Sequence, residues 1–116
     1  MNKFIKGNTN SDSHTIKRYK TKKRQRVRKS VLMRDLYTCQ ESKRYGKNVE
    51  AKVVHHIFPA KEYPDLFYNP NNLISLSIKA HNEMHDRLTD ELTNKGKDLQ
   101  KRYERRVFGD NEKRDY

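Results

Sequence analysis

Cysteine occurs once in the 116 residues, at Cys39, which excludes an intrachain disulfide and suits a reducing compartment such as the cytoplasm. No apolar run approaches the length of a membrane-spanning helix. The opening stretch, MNKFIKGNTNSDSH, also lacks the hydrophobic segment of a signal peptide. Acids are outnumbered: 15 Asp and Glu face 27 Lys and Arg, a formal charge of +12. Leu, Ile, Val and Phe are scarce too, at 23 residues, which sits at the edge of the composition of disordered chains. No internal repeat is visible, and the length leaves room for one modest domain.

What apolar content there is, is concentrated. Only Phe4, Ile5 and Ile16 precede Val27, and most of the remainder falls between Val27 and Leu99. The expected organisation is a flexible basic arm over residues 1–23, a folded domain over 24–108 and a polar tail over 109–116. A domain this small gains from a metal, a ligand or a partner. The charge calls for a polyanion. Nucleic acid comes first, because neutralised phosphates release counterions, and an anionic membrane surface is the rival. From Lys17 to Lys29 nine of thirteen residues are Lys or Arg and none is acidic, a block that repels itself unless phosphates neutralise it.

Periodicity places the elements. Val27, Val31, Leu32 and Leu36 predict a helix from about Gln25 to Tyr37, with Arg28, Lys29 and Arg34 on its other faces. TCQESKRYGKN then reads as a turn. KVVHHIF, from Lys52 to Phe58, is β-branched and aromatic and reads as a strand. Pro59, Pro64 and Pro70 punctuate a loop ending at NPNN, and LISLS, Leu73–Ser77, reads as the partner strand. IKAHNEMHDRL, Ile78–Leu88, predicts a helix, and a last one covers Thr93–Val107 with a break at Gly96.

Four of the five histidines lie between His55 and His85. On a helix, positions four apart share a face, so His81 and His85 would present nitrogens to one point. On a strand, neighbours point to opposite sides, so one of His55 and His56 can join that point while the other does something else. Three neutral imidazoles around a divalent cation leave a position open for water or substrate, as in a catalytic rather than a structural site. A histidine is far more often a surface or core residue than a ligand, and His14, in the polar arm, is assigned to the surface. The joint spacing of the other four carries the functional reading.

VHHI at Val54–Ile57, NL at Asn72–Leu73 and HNEMH at His81–His85 resemble the motif of the HNH endonucleases, with separations of 16 and 9 residues between His56, Asn72 and His81. The longer segments VLMRDLYTCQESKRYG, VVHHIFPAKEYPDL, NNLISLS and HNEMHDRLTDELTNKG are similar to phage HNH endonucleases encoded beside terminase genes. The resemblance implies an α+β fold, a small ββα-metal module with flanking helices. It implies a metal-dependent DNA endonuclease with one divalent ion (Mg, Mn, Ni or Zn), acting in the host cytoplasm. His56 falls at the general-base position, Asn72 at the Asn that braces the loop and helps orient the base, and His55, His81 and His85 at ligand positions. Many relatives carry two CxxC pairs for a structural zinc. Here those positions read Cys39, Ser42, Ser77 and Ala80, so no structural zinc is expected. Arg24, Arg28, Lys29, Arg34 and Arg87 are the candidate phosphate contacts. The implied partners are DNA and the large subunit of a phage terminase. A metal-stabilised DNA-binding module without catalysis, or a free-standing homing or restriction-type nuclease, are the alternatives.

Overall fold

The computed structural model describes residues 20–109; the expected arm up to residue 19 and the tail from residue 110, His14 included, lie outside the described residues. Helix α1 (Lys22–Arg34) and the short α2 (Gln40–Arg44) precede strand β1 (Val53–His56). Two 3₁₀ turns, Pro64–Leu66 and Pro70–Asn72, lead into β2 (Leu73–Leu76), followed by α3 (Ile78–Asn82) and α4 (Asn94–Phe108). The small α+β architecture expected from the sequence is the one observed.

The two strands form an antiparallel pair with Val53 opposite Leu76 and His56 opposite Leu73. Because strand side chains alternate, the hairpin offers two faces. Val54 and Leu73 pack with Val31, Leu32 and Ala51, on the side of α1. Ile74 and Leu76 pack with Cys39, Ile57, Ala80, Met84, Leu99 and Val107, contributed by α2's approach, α3 and α4. Every residue of β2 is buried. The hairpin is thus the middle layer, and burying side chains such as Ile74, Leu76 and Leu99 contributes about 1.5–3 kcal/mol each. About half of the scarce Leu, Ile, Val and Phe side chains sit in these two clusters.

The elements differ from expectation in four places, each for a reason in the hydrogen bonding or backbone. Helix α1 starts at Lys22, not Gln25, because Thr21 caps it, its hydroxyl accepting from the Arg24 amide at 3.1 Å. It stops at Arg34, not Tyr37, because Leu36 and Tyr37 take left-handed backbone angles and the Tyr37 carbonyl accepts from Ala51. The stretch read as a turn contains α2, ended by Gly46 at φ +75°. The largest correction concerns the histidine helix: α3 ends at Asn82, not Leu88. The Glu83 and Met84 carbonyls are taken by the Thr93 hydroxyl (2.6 Å) and amide (3.0 Å), and His85 pairs with Leu92 in a β-bridge. Asp86 then turns the chain, its carboxylate accepting from the Leu88 and Thr89 amides.

Helix α4 runs unbroken through Gly96, where a break had been expected. Thr93 caps it by accepting from the Gly96 amide at 3.1 Å. The glycine serves packing: a Cβ there would run into the Met84 carbonyl and lie 2.7 Å from Leu92. It lets the start of α4 press against the segment that carries His85.

Candidate metal centre

Strand alternation separates the two adjacent histidines. His55 lies on the face of Ile74 and Leu76, toward α3; His56 lies on the face of Val54 and Leu73, toward α1. Both are buried, at 4% and 8% exposure, which a merely surface histidine would not be.

On its side, His55 meets the two later histidines. Its Nδ1 stands 3.1 Å from Nδ1 of His81, with ring centroids 5.1 Å apart and the planes nearly edge to face. The His85 ring lies 6.2 Å from that of His55. The three therefore gather as expected, although His81 and His85 do so from a helix and the turn after it rather than from one helical face. Burial, followed by the charges of His81, His85 and His56, pushes the His55 pKa down to about 3. His81 is also lowered, by burial and then by His85. Both rings are neutral at pH 7, which leaves lone pairs for a Lewis acid.

The pair fits a divalent metal. Two nitrogens bound to one ion at about 2.0–2.1 Å lie roughly 3.3 Å apart in a tetrahedron and about 2.9 Å apart at neighbouring corners of an octahedron; the observed 3.1 Å falls between. Among the described residues no three His, Cys, Asp or Glu side chains already stand in ligating geometry around one point. His55 and His81 are the pair that could hold an ion, with the His85 ring beside them. His55, His56, His81 and His85 line one cavity of about 230 Å³, together with Lys61 and Asp90. A larger cleft of about 550 Å³ shares no residue with it, and four of its charges pair there, Lys95 with Glu83 at 3.1 Å and Arg44 with Glu41 at 3.4 Å.

His56 makes a different contact. Its Nε2 lies 3.0 Å from the Phe67 carbonyl oxygen, and its ring packs on the Phe67 ring at 4.9 Å. A carbonyl only accepts, so Nε2 carries the proton of this bond. Asn72, fully buried, touches neither ring. Its Oδ1 accepts from the Phe58 amide at 2.8 Å, while Nδ2 donates to the carbonyls of Phe58 (3.0 Å) and Leu66 (3.4 Å). It ties together the two ends of the loop that presents Phe67.

Of the five cationic side chains expected at phosphate, Arg28, Lys29 and Arg87 are exposed. Arg28 also donates to the Lys52 carbonyl at 3.0 Å. Arg34 is exposed as well but engaged, and Arg24 is buried. Arg34 donates to the carbonyls of Pro70 (2.9 Å) and Leu73 (2.8 Å) and to the Asp35 carboxylate (2.8 and 2.9 Å), so its guanidinium is spent on the fold. Arg24 is 5% exposed and donates to the Val54 carbonyl. Helical spacing marks which side chains leave the apolar stripe but not which long ones curl back over it. The sequence reading missed Phe67, which acts through a backbone oxygen and so carries no side-chain signal. It also missed Lys61 and Asp90 at the cavity wall.

No protein-family model matches the chain, and no curated protein does. Among solved structures the chain is similar to the HNH endonuclease of the deep-sea thermophilic bacteriophage GVE2, determined with a manganese ion. The two share 29% identity and a TM-score of 0.62, over 63% of this chain and 79% of that one. The likeness extends the motif resemblance to the whole ββα arrangement, hairpin and helix with histidines between them. Among the described residues no helix is long and apolar enough to cross a membrane.

Proposed function

We propose that this chain, which has the ββα fold and the histidine motif of the HNH endonucleases, is a metal-dependent endonuclease that hydrolyses DNA phosphodiester bonds. The observation that carries the reading is the division of labour across the hairpin. His55 and His81 face each other at ligand spacing on one side, while His56, from the other face of the strand, is oriented through Nε2 by the Phe67 carbonyl and lines the same cavity. A purely structural metal site has no use for that fourth, oriented imidazole.

His55 and His81 would hold a divalent ion, with His85 able to join them, and the bound ion would relieve charge on the phosphate and on the leaving 3′ oxygen. His56 takes the proton of the attacking water on Nδ1, its ring fixed by the bond from Nε2 to Phe67. Asn72 positions that carbonyl by closing the Phe58–Leu66 loop rather than by touching the imidazole. Arg28, Lys29 and Arg87 would meet backbone phosphates. The phage source of the similar structure supports a finer reading, a phage enzyme working with the large terminase subunit in DNA packaging. Stimulation of cleavage by that subunit would test it.

The decisive assay incubates plasmid DNA with the purified chain and Mn²⁺, Mg²⁺, Ni²⁺ or Zn²⁺, beside an EDTA control. Cleavage with metal, none with EDTA, and a loss of about 10²-fold or more in His56→Ala with metal affinity unchanged are expected. Parent and variant cleaving equally would remove His56 from the role. No cleavage with any metal would remove the activity.

A further inference from the structure

We propose that Arg24 is a positioning residue for the imidazole of His56, holding it in one tautomer by clamping the two walls between which it sits. The inference rests on the nuclease reading for its kinetic consequence, but not for its structural one. Arg24 is an odd occupant of its place. It lies in a helix whose neighbouring Lys22, Lys23 and Arg26 are exposed, yet its own side chain is buried. Burying a guanidinium costs desolvation, and an apolar side chain of the same length serves stability as well or better. Something other than stability explains a charge there.

Its contacts supply the reason. One nitrogen donates to the carbonyl of Val54, on the same hairpin face as His56 and two residues before it (3.3 Å). The guanidinium carbon lies 6.0 Å from the centroid of the Phe67 ring. Phe67 is the residue whose carbonyl accepts from His56 and whose ring packs on the imidazole. It lies outside the sheet, between two 3₁₀ turns, so no ladder fixes it. Asn72 secures the segment from one side, through the Leu66 carbonyl. The first turn of α1 secures it from the other: Arg24 at the Phe67 ring, Thr21 bonded to the Tyr68 hydroxyl at 3.3 Å and Lys23 over the Tyr68 ring at 4.3 Å. Arg24 reaches both the strand and the loop. Without its planar fork the Phe67 carbonyl can draw away from β1, and an imidazole proton is no longer held at Nε2.

The test compares Arg24→Lys and Arg24→Met with the parent, all as full chains. Thermal unfolding first establishes that each is folded. Imidazole ¹⁵N spectra of the metal-free proteins then read the His56 tautomer. The parent should show the Nε2–H form, and each folded variant a mixture. In Mn²⁺-supported plasmid cleavage kcat should fall about tenfold, a part of what a general base supplies, with KM and Mn²⁺ affinity within about twofold of the parent. A folded variant with the parent tautomer and the parent kcat overturns the proposal. So does loss of the folded state in both variants, since Arg24 is then a core support only. If the parent cleaves no DNA the nuclease reading fails, and the spectra still decide what Arg24 does.

Discussion

His55 should make the metal-free protein acid-labile well above the range in which carboxylates titrate. Its folded pKa lies near 3, against 6.5 for an unperturbed histidine, because burial and then the charges of His81, His85 and His56 disfavour the cation. Between those values the unfolded chain binds a proton that the folded chain does not, so stability is intact above about pH 6.5 and falls as the pH drops toward 3. At about 1.4 kcal/mol per unit, the loss reaches roughly 3 kcal/mol at pH 4, a large share of the 5–15 kcal/mol that holds a typical domain. Urea unfolding in EDTA, followed by circular dichroism between about pH 7 and 4, measures it; with slopes of about 1–3 kcal/mol per molar, the midpoint should drop by about 1 M or more. His81 shifts in the same direction and adds to the slope. Asp35 acts with the same sign but lower: burial raises its carboxyl, bonds from Arg34 and Ser75 more than offset this, and its contribution is lost only below the ordinary value of 3.8. His55→Gln removes the first group and leaves the others, so its midpoint should fall much less over the same interval. An equal fall in parent and variant would refute the assignment of the acid sensitivity to His55.

Metal should stabilise the chain through the same side chains. At a free Mn²⁺ concentration about 100 times Kd the gain is about 2.7 kcal/mol, worth roughly 10–20 °C in Tm for a domain of this size. His81→Ala should abolish the shift, and a variant that keeps it would exclude His81 as a ligand. Gly96→Ala should cost about 1–3 kcal/mol, because the new methyl meets the Met84 carbonyl as well as Leu92. An unchanged melting temperature would show that α4 is not pressed there. Replacing Arg28, Lys29 and Arg87 together by Gln should flatten the slope of log affinity against log salt by about 0.9 per lost phosphate contact. Arg34→Gln should leave that slope unaltered, since its guanidinium already serves the Pro70 and Leu73 carbonyls; a flattened slope in Arg34→Gln would place Arg34 among the phosphate contacts.

Side-chain periodicity made the centre of this fold readable and its edges unreadable. VVHHIF and LISLS are short β-branched or apolar runs, and their pairing follows from alternation alone, including the placing of His55 and His56 on opposite faces. HNEMH misled because its spacing is helical throughout while its backbone leaves the helix after Asn82. The competing partners of Glu83 and Met84 come from Thr93, ten residues on, and no local pattern reports such a bond. His85 reaches the cluster all the same, carried by a turn instead of a helix face. The end of α1 gave no sign either, since Leu36 and Tyr37 adopt angles that glycine or asparagine usually announces. Asn72 was legible as a brace of the loop, and it differs from expectation in that it touches the loop and not the base.

Scarcity of apolar residues and rigidity of the site meet in one device. A loop that presents a backbone oxygen to an imidazole must be stiff, yet this chain has little hydrophobic mass to stiffen it. It uses polar side chains on backbone carbonyls instead. Arg34 and Arg106 converge on the Leu73 oxygen at 2.8 and 3.0 Å, and reach back to those of Pro70 and Asn71 respectively. Asn72 sits inside that turn, and Asp35 joins Arg34 to the Ser75 amide of β2. Holding two guanidiniums together is unfavourable: burial, then the charge of Arg34, lowers the pKa of Arg106. Such clusters add little net stability for their desolvation, but they allow one geometry where an apolar cluster tolerates several. On that argument the basic residues of this chain fall into two groups, those that face solvent and can meet phosphate, and those that replace the missing core around the turn that leads into β2.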